Sequence, residues 1–196
     1  KHSNAPTKRL IEQGTKMATR KYETEKDVQF LGVALLTIAE NPHVTNLSDL
    51  IREYGYNNID PDRWYSLQDE LNFMKALSAR WQHSQNMVAI GMNIFDKLVI
   101  PDDIRTVKDG INMLNAIVHL NCRNYRSEWE YIITHTGKNS LHVTDNTPWP
   151  HDLVYGYLYG LCKKLLPPSS ALKLRRKYMN INDPDASGAH YDITWD

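Results

Sequence analysis

The stretch Trp129-Glu130-Tyr131-Ile132-Ile133-Thr134-His135-Thr136-Gly137-Lys138-Asn139-Ser140-Leu141-His142-Val143 decides the fold class. Trp129, Tyr131, Ile133 and His135 alternate with Glu130, Ile132 and Thr134, the period of a half-buried strand. Gly137-Lys138-Asn139 reads as a turn, and Leu141 and Val143 continue a second strand. With Lys138-Asn139 as a two-residue turn, Gly137 pairs with Ser140 and His135 stands directly opposite His142.

Downstream, Asn146-Thr147-Pro148-Trp149-Pro150 is a rigid turn that delivers the chain to a helix from about Asp152 to Leu166, closed by Pro167-Pro168. Lys173, Arg175 and Lys177 alternate with Leu172 and Leu174 in a third strand. Asp183-Pro184-Asp185 through Gly188 then turns into a fourth, where Ala189, Tyr191, Ile193 and Trp195 alternate with His190, Asp192 and Thr194.

Upstream the apolar period is helical. Thr24 offers a cap for a helix through Val28, Leu31, Leu35 and Ile38, stopped by Asn41-Pro42. Asn46 caps a short helix through Leu50 and Ile51, ending near Gly55. Asp60-Pro61 is a further start signal. Ser66, with Asp69 and Glu70, opens a helix through Leu67, Leu71, Met74 and Leu77. Two more run from about Ser84 to Leu98 and from Ile104 to about Asn121. The expected fold is α+β: an N-terminal helical layer packed on a C-terminal antiparallel sheet, with one further helix between two hairpins.

The chain has 196 residues, 23 Lys+Arg against 23 Asp+Glu, 41% hydrophobic residues and two cysteines. One domain is expected over 20–196, preceded by a flexible tail or expression remnant over 1–19, with Met17 a candidate start. Balanced charge excludes the basic excess of a nucleic-acid binder. The longest apolar run, Phe30 to Ala39, is about half a membrane span. Cys122 and Cys162 make no disulfide framework, which points to a cytoplasmic, reducing compartment. No phosphate loop, Gly-x-Ser-x-Gly elbow, His-Glu-x-x-His or Cys-x-x-Cys occurs, so a non-enzymatic role is expected.

The order Leu141-His142-Val143-Thr144-Asp145-Asn146-Thr147-Pro148-Trp149-Pro150-His151-Asp152, then Tyr155-Gly156-Tyr157-Leu158-Tyr159-Gly160-Leu161, a basic strand and Ser187-Gly188-Ala189-His190-Tyr191-Asp192-Ile193-Thr194-Trp195, resembles a known superfamily. It unites four-vinyl-reductase-type ligand domains, haem-dependent nitric-oxide-binding domains and transport-particle subunits. Ile59-Asp60-Pro61-Asp62-Arg63-Trp64-Tyr65-Ser66-Leu67-Gln68 and Ala89-Ile90-Gly91 resemble its bacterial sensory members. The resemblance implies a small-molecule sensor, often a homodimer or coupled to a signalling output partner, with a pocket between helices and sheet. Cysteines usual in the first group are replaced here by His151 before the helix and by Tyr178 and His190 near the last hairpin. Of the Tyr-x-Ser-x-Arg haem-propionate motif the chain has Tyr125-Arg126-Ser127-Glu128-Trp129, without the arginine.

Trp64, Trp81, Gly91, Trp149, Tyr155 and Tyr159 are the candidate pocket residues, since aromatics with polar tips orient ligands and glycines admit close approach. Core packing and helix crossings use the same residue types. His119 and Cys122, at i and i+3, share a helix side and could serve a haem iron, with Tyr125 and Ser127 as the partial motif. A helix-end histidine on the C-terminal dipole is the plainer reading of the same spacing. His135, His142 and His190 could give three imidazoles to a metal if they converge. His151-Asp152 could hold a proton or cap the helix. Lys163-Lys164 and Arg175-Arg176-Lys177 form a modest basic patch.

Overall fold

Among the described residues two antiparallel sheets, not one, organise the fold. The computed structural model of the protein describes residues 19–44, 47–80, 85–97 and 99–196. The expected cap at Asn46, the helix limits at Ser84 and Leu98, Met17 and Trp81 lie outside these residues.

The large sheet is built from β4 (Tyr131–Gly137), β5 (Ser140–Asp145), β6 (Leu172–Tyr178) and β7 (Ala189–Trp195), in the order β4-β5-β7-β6. Its inner face carries Tyr131, Leu141, Val143, Leu174, Tyr191 and Ile193, all buried. The outer face carries Lys173, Arg175, Lys177, His142 and His190. That alternation is what a sheet covered on one side requires.

One detail of the hairpin differs from expectation. Gly137 pairs with Ser140, but a bulge at Thr136 puts His135 opposite Leu141, and Thr134 faces His142. The extra residue moves every preceding side chain of β4 to the other face.

The helices are α1 (Gly32–Ala39), α2 (Ser48–Glu53), α3 (Leu67–Arg80), α4 (Gln85–Lys97), α5 (Val107–Asn112), α6 (Leu114–Asn121) and α7 (His151–Leu165). Ser66 Oγ accepts from Asp69 N at 3.2 Å, as its position predicts. The expected helix from Ile104 starts later, at a Thr106–Asp109 capping box.

Two expected helix starts are not helical. Gln29–Leu31 is β1, paired on one side with β2 (Trp64–Ser66) and on the other with β3 (Cys122–Arg123). Pairing on both edges overrides the helical spacing of Val28 and Leu31. At Asp60-Pro61 the carboxylate instead accepts the Asp62 N–H in a turn that leads into β2.

The principal seam of the core is α4 against α7. A Cβ on Gly91 would run into the Leu153 carbonyl, and one on Gly156 into the Val88 carbonyl. These glycines set the helix crossing, the one of the two uses of Gly91 open from the sequence that the packing shows. Buried residues of the helices and the large sheet form one continuous core. Among the described residues no helix is long and apolar enough to cross a membrane.

Candidate functional site

The seam between α1, α6 and α7 does not close. Phe30 at the centre of β1 is followed by Val33, Ala34, Thr37 and Ile38 on one side of α1. Ile117, Val118 and Asn121 of α6 face them, with Ile94 of α4 and Leu153, Val154 and Tyr157 of α7 behind. Tyr131 and Trp149 complete the wall of a cavity of about 150 Å³. It is open enough that Val33 remains 47% exposed at its rim.

Local chemistry fixes each wall. Asn115 clamps α6 to the sheet, its side chain accepting from Tyr131 N at 2.8 Å and donating to Tyr131 O at 2.9 Å. Trp149 is held between Pro148 and Pro150, and its ring lies 6.0 Å from Phe30 at a tilt of 54°. Tyr157 packs on Phe95 at 4.4 Å, and burial pushes its phenol far up. Burial likewise raises Tyr131. Both are neutral phenols at ordinary pH.

Near Trp149 lies Glu70, in the first turn of α3 and fully buried. Neither carboxyl oxygen has a hydrogen-bond partner of good geometry. Burial pushes its pKa up to about 8, against the smaller opposing pull of the Trp149 indole. Cys122, register partner of Phe30, is buried too, and burial and then Glu70 push its thiol well up.

At the other end of the Asp145–Pro150 segment the polar groups are paired. Lys21 Nζ donates to Asp145 Oδ2 at 2.7 Å and to Thr147 O at 2.8 Å, with both charged side chains fully buried. Thr147 donates its N–H and hydroxyl to Asp145 Oδ1 at 2.9 and 2.6 Å. His151 Nε2 lies 2.8 Å from Pro184 O; a carbonyl only accepts, so Nε2 carries the proton. Burial, then Lys21, lowers the His151 pKa, which keeps the ring neutral. Asp152 pairs with Arg176 at 2.7 Å.

Of the expected pocket residues, Trp149 lines the cavity. Trp64 instead lies under the Arg123 guanidinium, 4.5 Å from its ring centre. Tyr155 donates to Leu174 O at 3.2 Å, and Tyr159 packs on the core without reaching the cavity. The basic patch is divided, because Arg176 points inward between Tyr155 and Tyr178.

The three histidines do not converge. His142 and His190 are neighbours on the outer face, rings 5.1 Å apart, bonded to Asp192 and Thr144 respectively. His135 belongs to the opposite face because of the bulge. Among the described residues no group of three His, Cys, Asp or Glu side chains is placed for a metal ion.

The residues named for haem do not surround the cavity either. His119 is exposed and stacks on Tyr125 at 5.2 Å, although its helix neighbours Val118 and Asn121 line the wall. Ser127 is exposed, and Cys122 is a neutral thiol. Among the described residues, the only side chains of the kinds that hold haem iron to reach the cavity are the two neutral tyrosines, and no Arg or Lys lines it for propionates. Its volume is also below the roughly 300–1,000 Å³ usual for cofactor pockets. These residues do not fit a haem.

Phe30, Glu70 and Tyr131 escaped the sequence reading as site residues. Glu70 carried a signal: it falls in phase with Leu67, Leu71 and Met74, on the buried side of α3.

The chain shows no match to a protein-family model and none to a curated protein. Its fold does match solved structures. An H-NOX protein from S. oneidensis in the Fe(II) ligation state is 11% identical, with TM-score 0.61, over 85% of this chain and 96% of that one. The Fe(II) unliganded H-NOX protein from K. algicida is 14% identical, with TM-score 0.59, over 85% and 96%. An oxygen-binding H-NOX domain related to soluble guanylate cyclases is 11% identical, with TM-score 0.55, over 84% and 90%. The resemblance to haem-dependent nitric-oxide-binding domains therefore holds at the level of the fold.

Proposed function

We propose that the chain is a non-enzymatic, small-molecule-binding sensory domain whose ligand occupies the cavity between α1, α6, α7 and the sheet. The observation that supports this is the cavity itself: aromatic and aliphatic walls, open at Val33, between three helices and the sheet. Its size suits a ring of benzene scale, since an apolar cavity of about 150 Å³ accepts benzene. A ligand there touches α1, α6 and α7 together, so binding favours one arrangement of these helices over others. A second copy of the chain or a signalling output partner reads that change.

The H-NOX likeness supports a second reading, a haem-bound gas sensor, and one titration separates the two. Hemin added to the purified protein is expected to leave its absorption spectrum the sum of the two components, while benzyl alcohol raises the melting temperature. A Soret band retained after gel filtration, and lost in His119→Ala, would replace the first reading by the second.

A further inference from the structure

A polar atom in an apolar wall needs a partner, because burying it without one is costly. Most polar side chains around the cavity have theirs. Thr37 Oγ1 donates to Ala34 O at 2.6 Å, and Asn121 Nδ2 donates to Ile117 O at 2.8 Å. The Tyr131 phenol interacts with Thr147, and the Trp149 indole with Glu70. Tyr157 differs. Its ring touches Phe95, and its hydroxyl makes no hydrogen bond among the described residues. Nor is that oxygen sealed in like those of Glu70 and Tyr56, which have neither a partner nor accessible surface.

The open space that Tyr157 borders is the cavity, and the side chain stays only half-buried there. A tyrosine on a helix lies back over the turn before its own Cα. Here that turn carries Leu153 and Val154, both part of the cavity wall. Burial holds the phenol far above neutrality, so the oxygen keeps its proton and offers a donor. Among the described residues no charged side chain lines the space. An ion entering it would lose its water with no counter-charge in return.

We infer that the cavity takes an uncharged aromatic molecule of phenol size whose one oxygen accepts a hydrogen bond from the Tyr157 hydroxyl. This rests on the cavity being the binding site. The two contributions divide between affinity and selectivity. Apolar walls hold any small ring, because they remove its surface from water. The Tyr157 donor separates an oxygenated ring from a hydrocarbon of the same shape, because only the first satisfies it. Tyr157 is therefore the specificity-determining residue of the site.

Phenol and toluene differ by a hydroxyl in place of a methyl, so calorimetric titration with both isolates that donor. In wild-type protein and in Tyr157→Phe the quantity read is the ratio of the two affinities. The expected result is a ratio that shifts about tenfold toward toluene in the variant, the effect of one hydrogen bond in an apolar surround. Toluene affinity itself stays level. The variant loses only an oxygen that bonds to nothing in the protein, so its melting temperature should not fall. General damage to the cavity would weaken both probes alike. An unchanged ratio, with toluene still bound, overturns the Tyr157 assignment and leaves the cavity as the site. Benzoate or benzylammonium binding as tightly as phenol overturns the uncharged class. If neither phenol nor toluene binds, the cavity reading falls as well.

Discussion

Asp145 and Glu70 are both fully buried carboxyls, and the chain treats them in opposite ways. Asp145 is saturated by Lys21 and by two donors from Thr147. Glu70 has neither a cation nor a hydrogen bond of good geometry among the described residues, and only the Trp149 indole eases its ionisation. The first arrangement ties the start of the described chain to the turn before α7; Lys21 N to Asp185 O and Tyr22 N to Pro148 O, each 2.8 Å, tighten the same knot. The second arrangement keeps a carboxyl protonated inside the core. Saturation marks a structural joint, whereas burial without a counter-charge keeps a carboxyl neutral.

The largest effect is expected at the saturated end. Lys21→Ala strands a buried carboxylate and should remove about 3–5 kcal/mol of stability, read as a lower urea midpoint. A loss under 1 kcal/mol would mean that the joint is open to water, and the contrast would fail. Next, Gly156→Ala drives a methyl into the Val88 carbonyl and should cost about 1–3 kcal/mol, more than alanine's helical preference returns.

Glu70→Gln should act in the other direction. The folded protein keeps a carboxyl proton that the unfolded chain gives up above about pH 4, so this group's effect on stability worsens as the pH climbs toward about 8. The variant should flatten that decline and gain about 1–3 kcal/mol at pH 8, on the order of 2–4 °C in melting temperature for each kcal/mol. Ala34→Phe enters existing space, so stability should stay within about 1 kcal/mol while benzyl alcohol binding drops at least tenfold. Smallest of all is His119→Ala, whose exposed ring should matter by no more than about 0.5 kcal/mol and not at all to ligand binding.

The large sheet was legible because one inward face writes a period of two into Tyr131, Leu141, Val143, Tyr191 and Ile193. Helix α3 was legible from Ser66 and its apolar phase. What the sequence hid depends on distant partners. Gln29–Leu31 has helical spacing, and only strands arriving from residues 64 and 122 make it a sheet centre. The cavity was hidden for a related reason: Phe30, Ile117 and Val154 read as ordinary core, and a space shows only when three helices fail to meet. Trp149 was found because two prolines fix it. His119 misled because i, i+3 spacing gives a helix side but not what that side faces.

Methyl-labelled protein titrated with toluene and followed by NMR tests the central claim most directly. Shifts confined to Val33, Ile38, Ile94, Ile117, Val118, Leu153 and Val154 are the expected result. Undisturbed methyls at saturating toluene, or shifts centred elsewhere in the core, would contradict it.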